Sequence, residues 1–366
     1  MIYLPHDIFD VGLAYKPRRG DQGGTAMNMQ AIGRKISALR KERDMTQVDL
    51  ADQLGVTYQA VSSWERGNSM PDIAKLPDIS QVLAVSIDEL LDNAKATEIV
   101  KNVLSGREPS LGIPDIETLV DVAPILKPSQ VNTLVKQSGD AKRKTNITVT
   151  GELLAELAQH MDSDNLRKII LQSDNIENSA IIEIACHMES EDLKELALHS
   201  ENIDGETITE IACFMESEDL KEVALHCEKI TGDTIINIAC FMESEDLKEV
   251  ALHCAKITSD TIIKIACHME SADLKEVAMH CKNIDNAAIV AIACHMESED
   301  LKEIILHCED IDGGAIVDIA PFMESEDLKE IVMHRKNIDK KTLTAIAGFM
   351  EQEDLIEIIM PGGAAD

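Results

Sequence analysis

From Met161 onward the chain repeats itself every 27 residues, with Met161, Met188, Met215, Met242, Met269, Met296, Met323 and Met350 heading seven complete units and a final partial one. The octapeptide MESEDLKE opens at 188 and returns at 215, 242, 296 and 323, with MESADLKE at 269. A fixed period of this length restricts the fold to a stack of like units. Within a unit, Ser190 followed by Glu191 and Asp192 reads as an N-cap with acids in the first turn, where the helix dipole favours them. Leu193, Leu196 and Ala197 then form one apolar stripe. NIDGET at 202–207 is a turn anchored by Ile203, and Ile208, Ile211, Ala212 and Met215 line a second helix. Neither helix has room for more than about three turns, so a unit buries its stripe only against its neighbours. The pattern predicts an α-solenoid of helix pairs.

An earlier stretch, IETLVDVAPILKPSQVNTLV, followed after an insertion around GDAKRKTN by GELLAELAQHM, reads as a degenerate first unit capping the stack. The expected divisions are 1–26, 27–92, a helical segment and Gly/Pro-marked linker at 93–114, the cap at 115–160, the repeats at 161–349 and a last partial unit at 350–366. In that last unit Ile356 replaces the lysine of the motif. A more apolar final helix is either a bare cap or a dimer contact.

Composition agrees with helices throughout, because 45% of the residues are apolar but only 2% aromatic, whereas sheets favour aromatic and β-branched residues together. The expected class is all-α. Of the net charge of −33, residues 1–104 carry −2 (12 Lys and Arg against 14 Asp and Glu), and the remainder carries −31 (22 against 53). The repeats therefore repel nucleic acid and anionic membrane and attract basic partners or cations. No apolar run approaches the roughly 18 residues of a membrane span. The opening MIYLPHDIFD interrupts any signal-peptide core with Pro5, His6, Asp7 and Asp10, and the nine cysteines read as reduced thiols, so the expected compartment is the cytoplasm.

Residues 1–26 contain PRRGDQGGT and no periodicity, and are either a disordered tail or a start site placed too early. From Ile32 the apolar residues Ile32, Ile36 and Leu39 recur at helical spacing beside Arg34, Lys35, Arg40, Lys41 and Arg43. In TQVDLADQLGVTYQAVSSWERG, residues 46–67, Thr46 and Thr57 can each cap a helix, with Leu50, Ala51 and Leu54 inward and Gly55 at the turn. Two short helices joined at a glycine make a helix-turn-helix. Val61 and Trp64 stand at core spacing in the second.

From about Ala31 to Leu91 the chain resembles the Cro/C1-type helix-turn-helix family, also called the XRE family. The likeness lies in TQVDLADQLGVT, the VSSWERG run, Pro71-Asp72 and VSIDELL at 85–91, all in the family's order and spacing. The resemblance implies a five-helix domain that binds double-stranded DNA. Gln47 matches the residue that holds a backbone phosphate, aided by the N–H groups of its helix start. Tyr58, Gln59 and Ser63 match positions facing base edges in the major groove, with Thr57 and Ser62 nearer the phosphates. Gln59 is the best reader, because its amide donates and accepts together at adenine, a discrimination of about 1–3 kcal/mol. Arg40 and Glu65 match a structural salt bridge. Two departures stand out: Ala84 occupies a place often taken by glycine, and the recognition helix has no Lys or Arg before Arg66. Affinity therefore leans on a homodimer reading an inverted-repeat operator.

Glu189, Lys194 and Glu195 of the octapeptide are not required by the core. In a stack they form rows about 10 Å apart, near one Debye length, and are either a solvated face with local Glu–Lys support or a site for a basic protein. The recurring His226-Cys227 and its copies, with Cys186 and its copies, lack metal-ligand spacing and read as small buried thiols. No phosphate loop or nucleophile elbow is present, so the expectation is no catalytic residue, no metal and no cofactor. The function expected is a sequence-specific DNA-binding regulator, a repressor, whose repeats sense a signal or dock a partner; the alternative is an interaction scaffold or antitoxin-like protein with auxiliary DNA binding.

Overall fold

The computed structural model describes residues 29–106, 116–140, 150–173, 176–281, 284–308, 310–335 and 338–359. The expected tail at 1–26, most of the linker, most of the GDAKRKTN insertion and the last residues lie outside them. Every regular element among the described residues is a helix. The chain divides into two compact units, Met1–Ile147 and Thr148–Asp366. No helix among the described residues is long and apolar enough to cross a membrane.

The first unit opens with α1 (Met29–Glu42), α2 (Gln47–Leu54) and α3 (Tyr58–Arg66), followed by a 3-10 turn at Ile73–Lys75, α4 (Leu76–Val82), α5 (Ile87–Leu91) and α6 (Ala94–Ser105). Local chemistry sets these boundaries. Thr46 accepts the Asp49 N–H and Asp49 reaches back to the Thr46 N–H, a capping box that starts α2. Gly55 ends α2 with φ of 65°, a left-handed conformation that glycine adopts without strain. Leu50, Ala51, Leu54, Val61 and Trp64 are buried, as their spacing predicts. On α1 the inward stripe is Ile32, Gly33, Ile36 and Arg40, and Leu39 is only half-buried. The shift has a physical cause: α3 crosses so close that a Cβ at Gly33 would stand 2.2 Å from the Trp64 carbonyl oxygen, and Arg40 turns inward to meet α3.

The stretch 115–160 is divided between the two units. Helix Ile116–Val122 packs on α6 in the first, whereas Gly151–Ala158 packs on Asn178–Ala185 in the second. From there the repeat runs as the period predicts: a ten-residue helix such as Ser190–His199, a turn, a seven-residue helix such as Gly205–Ile211, and a 3-10 turn such as Ala212–Phe214. First helices pack on first helices of the neighbouring units, and second helices on second helices. Leu193, Leu196, Ala197, Ile203, Ile208 and Ile211 are at most 1% exposed.

Two expectations about the repeat need correction. Ser190 is not the N-cap of its helix. That position is Glu189, which makes no side-chain cap bond, and Ser190 is the first helical residue. Its hydroxyl works on the next unit instead, accepting the Glu216 N–H at 2.7 Å and donating to Asp219 Oδ2 at 2.5 Å. The other oxygen of Asp219 takes Lys194 Nζ at 2.6 Å, so Lys194 is bound across the junction rather than to a local glutamate. The same clasp of serine, cation and aspartate recurs at seven junctions, from Ser163 and Arg167 on Asp192 to Ser325 and Lys329 on Asp354. Burial alone would raise the Asp246 carboxyl, but hydrogen bonds from Lys221 and Ser217 outweigh it and hold it below the usual carboxylate range.

The thiols also divide. Cys227 and Cys254 are buried, donating to Ala197 O and Ala224 O of the preceding unit. Cys186, Cys213, Cys240, Cys267 and Cys294, expected inside, are exposed. The helix tightens to three residues per turn there, which aligns Ala212 with Met215 on the inner face and turns Cys213 and Phe214 outward. All nine cysteines are free. Among the described residues no three His, Cys, Asp or Glu side chains converge on a point that could hold a metal ion.

Candidate nucleic-acid interface

α2 and α3 are joined by the Gly55 turn and pack on each other. Thr57 caps α3, its hydroxyl oxygen accepting the Ala60 N–H at 3.2 Å. Tyr58 follows at 53% exposure, with Gln59 exposed beside it. Val61 and Trp64 fill the inner face, which leaves Gln59, Ser62, Ser63 and Arg66 along the outer one at helical spacing. The predicted contact residues Thr57, Tyr58, Gln59, Ser62 and Ser63 thus share one stretch of α3 and its cap.

Several of these groups are oriented by neighbours. Ser69, in the loop after α3, donates to Ser63 Oγ at 2.8 Å and leaves the Ser63 proton free to donate outward. Arg66 Nε donates back to Ser62 O at 3.1 Å. Nothing in the sequence pattern singles out Ser69, because its partner is six residues away across a helix end.

Arg40 and Glu65 clamp the arrangement. The guanidinium donates through Nε and Nη2 to the two carboxylate oxygens, the latter at 2.9 Å, and through Nη1 to Met45 O at 2.5 Å. Their side chains are 9% and 6% exposed. Burial alone would raise Glu65, but hydrogen bonds from Arg40, Gln47 and Ser37, with the charge of Arg40, hold it below the ordinary carboxylate range. A bidentate carboxylate has acceptor sites left over. One of them takes Gln47 Nε2 at 2.9 Å, a link the sequence does not reveal. Gln47, expected at a phosphate, is therefore tethered to α3 by one amide hydrogen, and an amide retains a second hydrogen and a carbonyl for another partner.

The electrostatics of this face are modest. Asp49 sits in the first turn of α2, its carboxyl lowered by hydrogen bonds from the Thr46 hydroxyl and backbone. The cap uses the N–H groups of Thr46 and Asp49, not those of Gln47 and Val48, which point along the helix axis as the first N–H groups of a helix do. Exposed Arg66 is the one basic side chain on α3.

This geometry has relatives. The helix-turn-helix family model matches residues 36–90. The uncharacterized HTH-type transcriptional regulator YqaE of Bacillus subtilis is 34% identical over 91 residues, which span 24% of this chain and 78% of YqaE. YazB, an uncharacterized HTH-type transcriptional regulator of the same organism, is 39% identical over 64 residues, 18% of this chain and 93% of YazB. Repressor protein C2 of Salmonella phage P22 is 38% identical over 65 residues, 18% of this chain and 30% of the phage protein. With two capped helices turning at Gly55, the Arg40–Glu65 clamp between the first and third helices, and relatives that align over most of their own length, the chain belongs to the Cro/C1-type (XRE) helix-turn-helix family of transcriptional regulators.

Proposed function

We propose that this protein is a repressor: a homodimer places α3 of each copy in successive major grooves of an inverted-repeat operator, and the acidic repeats receive a signal or dock a basic protein. The observation that carries the reading is the outer face of α3, where Gln59 and Ser63 are presented from a helix fixed by Arg40, Glu65 and Gln47. Pre-positioned polar groups on a rigid helix suit base-edge recognition. Thr57 and Ser62 reach the sugar-phosphate flank, and Tyr58 joins Gln59 and Ser63 at the base edges. The likeness to a phage protein named a repressor supports the sense of regulation. DNA binding locates the protein in the cytoplasm, and neither catalysis nor a cofactor forms part of this function.

A second reading, an interaction scaffold or antitoxin-like protein, draws on the charge of −31 over residues 105–366. Full-length protein incubated with sheared genomic DNA at near-physiological salt, with recovery and sequencing of what it holds, separates the two. Enrichment of one inverted repeat is expected. Enrichment by residues 1–147 alone would make the acidic repeats a mask relieved by a basic partner, and enrichment by neither would favour the scaffold.

A further inference from the structure

The residue before each of the eight repeat methionines carries an aromatic ring, in the order His, His, Phe, Phe, twice over, from His160 to Phe349. Residues 148–366 contain four Phe and no Tyr or Trp, and all four stand at this place. Phe214, Phe241, Phe322 and Phe349 are 38–46% exposed, and His187, His268 and His295 are exposed with them. The 3-10 turn that sends Met215 inward leaves Phe214 outside. Packing would accept Leu or Ile there, whereas a flat π face is what Phe and His share. The first two rings are within electrostatic reach of each other, since burial and then the imidazole of His187 hold His160 below the ordinary histidine range. Two residues beyond the ring stands a glutamate, exposed at Glu189, Glu216, Glu243, Glu270, Glu297 and Glu324. Among the described residues none of these six is ion-paired, because each clasp lysine is drawn to the aspartate of the next unit. Ring and acid share the grooves between units. His295 and Glu297 line one groove with Glu270 of the preceding unit. In another, Glu189, Glu191, Glu216, Glu218 and Glu222 come together, and the lysine among them, Lys194, is held by Asp219.

We propose that this row of rings and glutamates docks a segment of a partner protein in the polyproline II conformation, with an arginine at every third residue. The inference rests on the docking of a basic protein proposed above and supplies its surface and the partner's chemistry. A guanidinium meets both halves of the row at once, because it stacks on a ring face and pairs with a carboxylate in its own plane. The charge of −31 over residues 105–366 calls for a cation and rules out an acidic segment. Neighbouring helices pack about 8–10 Å apart, so the rings recur at about that interval. A polyproline II chain rises about 3.1 Å per residue and turns once in about three, which brings an arginine back to the same side after about 9 Å. A β-strand with the same spacing would send alternate arginines to opposite faces.

Fluorescence anisotropy of a labelled peptide of five Arg-Pro-Pro triplets, titrated with the full-length protein at near-physiological salt, tests this. The triplet peptide is expected to bind about tenfold more tightly than five Lys-Pro-Pro triplets or a peptide of the same composition with its arginines in one block. Phe214→Leu with Phe241→Leu keeps the apolar bulk and removes two ring faces; it weakens the arginine triplets about tenfold and erases their advantage over lysine, with the circular dichroism unchanged. Phe214→His with Phe241→His, the residue the chain itself carries in other units, retains binding. Glu216→Gln with Glu243→Gln weakens arginine and lysine triplets alike. Arginine and lysine peptides that bind wild type and the leucine variant equally overturn the proposal while leaving a general docking of basic proteins intact, and a blocked peptide that matches the triplets does the same. No binding by any of the three peptides removes both.

Discussion

Ser190 and Asp219, 29 residues apart in the chain, share a hydrogen bond of 2.5 Å in which the serine hydroxyl donates. Because that hydroxyl also accepts the Glu216 N–H, one atom caps the helix of the following unit and fixes the acid in its first turn. The box of reciprocal bonds usually found within one helix start is here split between two repeats. With Lys194 on the other carboxylate oxygen, the repeated octapeptide is largely a fastener between units, with only part of it left for solvent.

Removing one fastener in mid-stack has a defined cost. Ser217→Ala takes away the acceptor of the Glu243 N–H and a donor to Asp246. We expect a loss of about 1–2 kcal/mol in chemical denaturation of the full-length protein. Glu218→Ala, at an exposed position of the same octapeptide, should stay within about 0.5 kcal/mol of wild type. Equal effects of the two changes would show that the clasp contributes nothing.

The clasp also predicts a pH window. Asp246 and Asp300 are held low, burial opposing and lysine and serine hydrogen bonds prevailing, so their stabilisation is present above the unfolded value of about 3.9 and lost as pH falls through the folded value. Lys221 and Lys248 are raised, chiefly by hydrogen bonds to Asp246 and Asp273. Their contribution is present below about 10.4 and lost as pH rises through the folded value above it. The melting temperature of the repeats should therefore fall from about pH 4 downward. Asp246→Asn and Asp300→Asn together should flatten that acid limb, measured by circular dichroism across pH.

Ala84 has φ of 42°, in the left-handed region that costs a residue with a Cβ about 1 kcal/mol or more. Glycine removes that strain, although its greater freedom in the unfolded chain returns part of the gain. Ala84→Gly should stabilise the first unit by about 0.5–1 kcal/mol, read as a shift in denaturant midpoint without a change in slope.

Gln59 is exposed on α3 and takes no part in the Arg40–Glu65 clamp. Gln59→Ala should abolish sequence preference in the DNA selection, a loss of about 1–3 kcal/mol of discrimination, while helical content stays the same. Undiminished selectivity in the variant would remove Gln59 as a reader.

The sequence by itself determined the elements: the 27-residue period, the stripes of Leu193 and Ile208, the caps at Thr46 and Thr57, the turn at Gly55 and the order of the helix-turn-helix. These are set by neighbours within a turn or two, where 3.6-residue periodicity and capping chemistry act. Tertiary structure decided what reaches across: Ser190 to Asp219, Gln47 to Glu65, and Gly33 under Trp64. A local rule assigned Ser190 to its own helix because a hydroxyl one turn from an N–H looks the same in sequence whichever helix it serves. Only stacking brings the Glu216 N–H within 2.7 Å of that oxygen, and that proximity, not residue type, chooses the partner.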